Sequence, residues 1–276
     1  DGLIYNPELG EDEVYGQYSG KLDDRMAFAF TKNSSTQISA LSAISAAAAV
    51  CKDFDAENTE YFVKVAKEIW DQENAGSSTN NNVWYAALNL YKATGEQMYK
   101  DYIDGRFDTM MGSSFRNAGW RALFVLDELG EEYKTKFDAA VAANAAALKF
   151  SPRATNPFGF SDAGSGWGGS AGVINGVTTA TVLATYYPEL IDTTGTFQAM
   201  NYILGTHPVN SVSYVSGVGT NSVHMAYGSN RAEKYYIAGG VVPGYCTLNT
   251  NLPEYMEDFN FLWFEHEYTI NAAASW

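Results

Sequence analysis

The chain has 276 residues, 46% of them hydrophobic, enough to bury a sizeable core in one large or two ordinary domains. Its 32 acidic against 17 basic residues leave a formal charge of −15, which repels nucleic acid and anionic membrane surfaces and argues against both as partners. No apolar run approaches a membrane span in length. The first stretch, to about Asn33, is polar and Gly-rich and reads as loop. Its acidic run Gly10-Glu-Asp-Glu13 carries oxygen ligands of the kind a structural Ca²⁺ takes, without EF-hand spacing, and solvated surface is the plainer reading.

Helical signals dominate from there. Ser34-Ser-Thr-Gln37 caps an Ala-rich helix from Ile38 to Val50, whose small side chains permit close packing of the sort an inner barrel helix needs. A second helix is predicted from about Asn58 to Gln72, with Phe62, Val65, Ala66 and Ile69 on one stripe and Trp70 assigned to the core. A polar turn over 73–80 leads to a third helix with Val83, Ala86, Ala87 and Leu90 inward, stopped by Gly95. A short helix follows over 96–103, then a buried segment at 120–126, then a long amphipathic helix from Glu131 to about Lys149. Further helices fit 168–186 and 196–204, while 212–218 and 235–242 are candidate strands or extended loops. No linker divides the chain, so a single domain over 1–276 is expected. Alternating helices on Gly- and Asn-rich turns suggest stacked hairpins; periodicity alone does not separate a toroid from a bundle or solenoid, although no fixed-length repeat appears.

The chemistry points to the C-terminus, where Asp258, Trp263, Glu267 and Thr269 recur at set spacing. Four residues are about one helical turn, so Trp263 and Glu267 are expected on one face. A carboxyl shielded by an indole holds its proton to higher pH and can deliver it to a leaving group, as the acid of a glycosidase must. A rival register uses Glu265 with Phe261, Asn271 and Ala272, and an ordinary surface carboxylate is the plain alternative. Cys51 and Cys246 lie far apart without metal-like spacing, as two free thiols or one disulfide. The three histidines, His207, His224 and His266, are scattered and make no zinc signature, and no phosphate loop or dinucleotide fingerprint is present, so no cofactor is expected.

The terminal spacing resembles the C-terminal signature of glycoside hydrolase family 9, with Met256 and Ala273 standing where an aromatic residue and an Asn are usual. Other blocks resemble the family's in order. They are Ser35-Thr-Gln37 with its Ala-rich helix, Asn156-Pro-Phe-Gly159 with Trp167-Gly-Gly-Ser170, Asn201-Tyr-Ile-Leu-Gly-Thr-His-Pro208, Ser213-Tyr-Val-Ser-Gly-Val-Gly219, and Gly239-Gly-Val-Val-Pro-Gly244. The resemblance implies an all-α (α/α)6 barrel and an inverting attack on a β-linked glucan, with Glu267 as general acid. It implies an oligo- or polysaccharide partner and a secreted, periplasmic or cell-surface location. Sugar contacts are then expected from Arg231, Asn230, Tyr227, His224, Tyr214, Trp120, Trp167 and Trp263.

Two departures bear on mechanism. Where the family has Pro-His-His-Arg, this chain reads His224-Met-Ala-Tyr-Gly-Ser-Asn-Arg231, so Arg231 matches while Ser229 and Asn230 replace the two histidines. The Asp-Ala-Gly-Asp motif whose carboxylates activate water is absent; Asp162-Ala-Gly-Ser165 and Asp23-Asp24 lie in the wrong blocks. The chain thus resembles the C-terminal two-thirds of such a domain. It starts Asp1-Gly2 without Met or signal peptide, and an N-terminal fragment of the same precursor is the expected partner completing the toroid. A non-catalytic carbohydrate-binding protein, and a toroid-type polysaccharide lyase built on Tyr227, Asn230, His224 and Arg231, are the alternatives.

Overall fold

The structure, a computed structural model, describes residues 33–148, 167–207, 210–224, 236–244, 246–247, 253–254, 263–268 and 270–275. Packing groups the chain into two compact units, one of residues 30–145 and one of 1–29 with 146–276, a subdivision that no linker in the sequence announces.

In the first unit, α1 (Ser34–Cys51) starts where the Asn33 side chain accepts the Thr36 N–H at 3.1 Å. Ile38, Leu41, Ser45, Ala48 and Ala49 recur on one face and are buried, and α1 packs on α2 (Ala56–Gln72) and α3 (Asn81–Thr94). Ser45 joins that apolar face because its hydroxyl donates back to the Leu41 carbonyl at 2.6 Å. Contrary to the sequence expectation, α1 is by length and composition apolar enough to cross a membrane. Its buried face is turned onto two neighbouring helices.

Asp55 caps α2, its carboxylate accepting the Asn58 N–H at 3.1 Å. From α2, Trp70 meets two rings of α4 (Gln97–Met111) edge to face, Tyr99 at 5.0 Å and Tyr102 at 5.5 Å. That places Trp70 in the core. α3 buries Val83, Trp84, Ala86, Ala87, Leu88, Asn89 and Leu90, too wide an arc for a surface helix, and ends at Gly95 as its sequence predicts. α4 runs two turns beyond the predicted end at Ile103 because Phe107, Met110 and Met111 extend its buried stripe. Phe107 reaches Trp84 on one side and Tyr133 of α6 (Glu131–Leu148) on the other, the latter at 4.9 Å. Between α4 and α6 lie a 3-10 turn over Gly119–Val125 and the single-turn α5 (Leu126–Leu129). Cys51 is a free, half-buried thiol.

The second unit packs α7 (Ser170–Tyr186) on α8 (Thr194–Ile203) and on the C-terminal α10 (Ile270–Ser275). Its core joins Val173, Ile174 and Val177 of α7 to Ala199, Tyr202 and Ile203 of α8, with Ala272 of α10 closing it. Of the two candidate strands, 212–218 and the described part of 235–242 are irregular segments that include turns. Among described residues the first is bridged to the second at Val215 with Val241, and to Ser222 at Ser213. The only ladder described is two residues long, β1 (Cys246–Thr247) antiparallel to β2 (Pro253–Glu254).

Replacing Trp70 by Ala deletes both aromatic contacts and leaves a cavity, so chemical denaturation is expected to show a loss of about 3–5 kcal/mol. His207 provides a pH prediction. Burial depresses its proton affinity below the usual value near 6.5, partly offset by donation from Nε2 to the Val212 carbonyl at 2.8 Å. The unfolded chain therefore binds this proton first. Stability from this residue is complete above about 6.5 and declines as pH falls through the depressed folded value. Melting temperatures measured between neutral and mildly acidic pH should fall more steeply for the parent protein than for His207→Gln.

Candidate active site

The terminal acid lies where the chain leaves a helix. α9 covers Trp263–His266 and stops one residue before Glu267. In a continuing helix the carbonyls of Phe264 and Glu265 would each accept the N–H four residues on. Here the Phe264 carbonyl accepts from Gly168 at 3.0 Å and the Glu265 carbonyl from Gly244 at 3.0 Å. These long-range bonds take the place of the helical ones, and α9 ends at His266, with Glu267 next in the chain. Glu267 directly follows α9, one helical turn from Trp263, whose side chain lies outside the described residues.

Three sequence blocks interlock around the end of α9. Gly168 sits so close to the 239–244 segment that a Cβ there would fall 2.2 Å from the Pro243 carbonyl oxygen and 2.3 Å from that of Gly244. Only glycine lets the two backbones approach this closely. The N–H and hydroxyl of Ser170 both donate to the Pro243 carbonyl, at 3.0 and 2.8 Å. The 213–219 block docks on the same segment. Val242 N–H donates to the Tyr214 carbonyl at 3.0 Å, Ser216 N–H to Gly240 at 3.0 Å, and Gly239 N–H to Ser216 at 2.8 Å.

Burial separates the two candidate acids. Glu265 and His266 are completely enclosed, whereas Glu267 and Tyr268 are half-buried. Glu265 has no surface to offer a substrate; Glu267 keeps partial access to solvent. Trp167, half-buried, immediately precedes the Gly168 strap and so lies next in chain to the bond that holds α9. His224 is exposed, one residue past Val223, whose N–H donates to the Ser213 carbonyl at 2.9 Å.

Two proposed sugar platforms are corrected. Tyr214 is 1% exposed, with His207 stacked on it at 4.5 Å and 10° and Tyr202 edge-on at 6.3 Å, so no open ring face remains. It is a core residue that holds the 213–219 block to α8. Trp120 is 8% exposed, in the first unit, with the Arg121 guanidinium 5.2 Å from its ring and Phe124 at 6.0 Å. Its ring serves packing. Tyr227, Asn230, Arg231, the side chain of Trp263 and the acidic run at 10–13 lie outside the described residues. Among described residues, no cluster of three His, Cys, Asp or Glu is placed to hold a metal ion.

Sequence reading missed Tyr268 and Ser216. The Tyr268 hydroxyl lies 2.5 Å from Ser216 Oγ, 52 residues away in the chain. Position 268 is a free position in the family spacing, so only the folded contact reveals it.

The glycosyl hydrolase family 9 pattern matches residues 8–274. Among solved structures, a metagenome-derived glycoside hydrolase family 9 endoglucanase superposes with a TM-score of 0.69 at 18% identity, over 87% of this chain and 50% of its own. A thermostable endoglucanase from Alicyclobacillus acidocaldarius gives 0.71 at 18% identity, over 92% and 56%. The cellulase Cel9M of C. cellulolyticum in complex with cellobiose gives 0.61 at 18% identity, over 95% and 67%. No curated protein matches in sequence. The chain spans about half the length of the first two structures. At such low identity these likenesses show the fold, the helical hairpins of the (α/α)6 class with part of the set present. With the family pattern running almost end to end, and three of its blocks bonded around the terminal acid, the chain belongs to glycosyl hydrolase family 9.

Proposed function

We propose that this chain carries the acid half of an inverting β-glucan hydrolase, with Glu267 as general acid. One observation carries the assignment: of the two carboxylates that fit the terminal spacing, only Glu267 keeps a path to solvent, and its backbone is pinned two residues upstream. A carboxyl carried on a pinned backbone can be set beside the glycosidic oxygen to deliver a proton as the bond to the anomeric carbon breaks. In an inverting enzyme a carboxylate on the opposite sugar face, about 6.5–9.5 Å away, deprotonates the attacking water. No block of this sequence matches the motif that supplies that base. The reaction is therefore proposed for the family's whole catalytic domain, the base coming from a segment N-terminal to these blocks and held as a partner of this chain.

The substrate class is supported by the printed names of the similar structures, endoglucanases and a cellulase with bound cellobiose. Arg231, Asn230, Tyr227, His224, Trp167 and Trp263 are the proposed sugar contacts; Arg231 offers a planar fork of donors to hydroxyls. A polymeric glucan does not cross a membrane, so a secreted, periplasmic or cell-surface location belongs to the same proposal.

In the complete domain, Glu267→Gln should lower kcat on β-glucan by about 10²–10⁴-fold while glucan binding is retained. Turnover at the parent rate would defeat the assignment. Binding without any release of product by the parent itself would leave a carbohydrate-binding protein instead. Gly168→Ala forces a Cβ into the Pro243 and Gly244 carbonyls, so thermal stability and turnover should fall together. Normal turnover in that variant would show that the strap does not hold the acid.

A further inference from the structure

Glu267 is held on its upstream side by backbone bonds, and the structure shows what holds its downstream side. Tyr268 is the next residue, and its hydroxyl is 2.5 Å from Ser216 Oγ and 3.4 Å from the Ile237 backbone nitrogen, whose N–H points to it. The phenol ring lies over Gly240, where a Cβ would fall 2.6 and 2.7 Å from ring carbons Cε1 and Cδ1. Ser216 is no loose partner. It is fully buried, its N–H donates to Gly240 at 3.0 Å, and its carbonyl accepts from Gly239 at 2.8 Å. The anchor is therefore bonded to the same 239–244 segment that holds the Glu265 carbonyl through Gly244.

Glu267 is thus flanked by two fixed points on one backbone platform, Glu265 on Gly244 and Tyr268 on Ser216 and Gly240. Glu267 directly follows α9, whose last helical bond runs from the Glu267 N–H to the Trp263 carbonyl, and no helix continues through Tyr268. The long-range backbone bonds end at Glu265, and beyond Glu267 the described tie is the Tyr268 hydroxyl to Ser216. A carboxyl that must meet one oxygen at hydrogen-bond distance loses much of its effect when displaced by an ångström.

We propose that Tyr268, through its hydroxyl bond to Ser216, is a positioning residue that sets the direction in which Glu267 presents its proton. This inference rests on Glu267 being the acid. Tyr268 touches the leaving group nowhere in this account; it acts through the backbone it bolts down. A ring that merely filled space would do as well without its hydroxyl.

The test uses Tyr268→Phe, Ser216→Ala, their double variant and Glu267→Gln in the complete catalytic domain. Each is assayed on β-glucan and on an aryl β-glucoside whose phenol leaves readily. A sugar leaving group needs protonation, whereas an acidic phenol departs largely unassisted, so misdirected acid catalysis discriminates between them. Tyr268→Phe and Ser216→Ala are each expected to lower kcat on glucan about 10-fold or more with KM nearly unchanged. Loss on the aryl substrate should be small, and the double variant should be no worse than the poorer single one. Unchanged kcat on glucan, or equal losses on both substrates, overturns the positioning role. If Ser216→Ala does not fold, the two-substrate comparison on Tyr268→Phe decides alone. Failure of the underlying assignment reads differently: Glu267→Gln would then turn over glucan normally, and the positioning role would fall with it.

Discussion

Two hydrogen bonds decide the geometry at the C-terminus. Gly168 and Gly244 donate their N–H groups to the carbonyls of Phe264 and Glu265 and so end α9 one residue before Glu267. A helix run through this stretch would satisfy the same carbonyls locally and carry Glu267 along its face. Withdrawing them leaves the acid at the end of α9, supported from outside by segments that precede it in the chain by up to a hundred residues. The approach that permits these bonds depends on the missing side chain at Gly168, where even a methyl group would collide with two backbone carbonyls.

The same arrangement sorts three consecutive polar residues by access. Glu265 and His266 are enclosed and Glu267 is half-buried, whereas in the sequence only the spacing to Asp258 and Thr269 favours Glu267 over Glu265. The 239–244 segment is the shared support. It receives Ser216, Tyr214, Ser170 and the C-terminal turn on successive backbone groups. Blocks that look like scattered motifs in the sequence are therefore parts of one bonded cluster, and a change in any of them reaches the acid through main-chain contacts of about 3 Å.

Much of the helical framework was legible. α1, α3 and α6 lie close to where capping residues, apolar stripes and stop signals placed them, because these signals act between residues a turn apart. The short reading of α4 failed for a local reason too: Gly105 weakens the pattern, and the buried stripe resumes beyond it at Phe107. Trp70 was legible as core from its stripe. Tyr214 and Trp120 were not, since an aromatic residue in a family block or near a glycine turn looks the same whether its faces are open or covered. His207 and Arg121 cover them.

By itself the sequence determined the helical class, the family and the short list of acids, because each is written in the order and spacing of residues along the chain. Tertiary structure decided which acid keeps access to solvent, where α9 stops, which aromatic rings are spent on packing, and that Tyr268 reaches Ser216. Those outcomes depend on partners far apart in sequence, such as Gly168 with Phe264 and Ser216 with Tyr268. No local period or spacing encodes a contact across such a distance; it exists only once the backbone platform at 239–244 has formed.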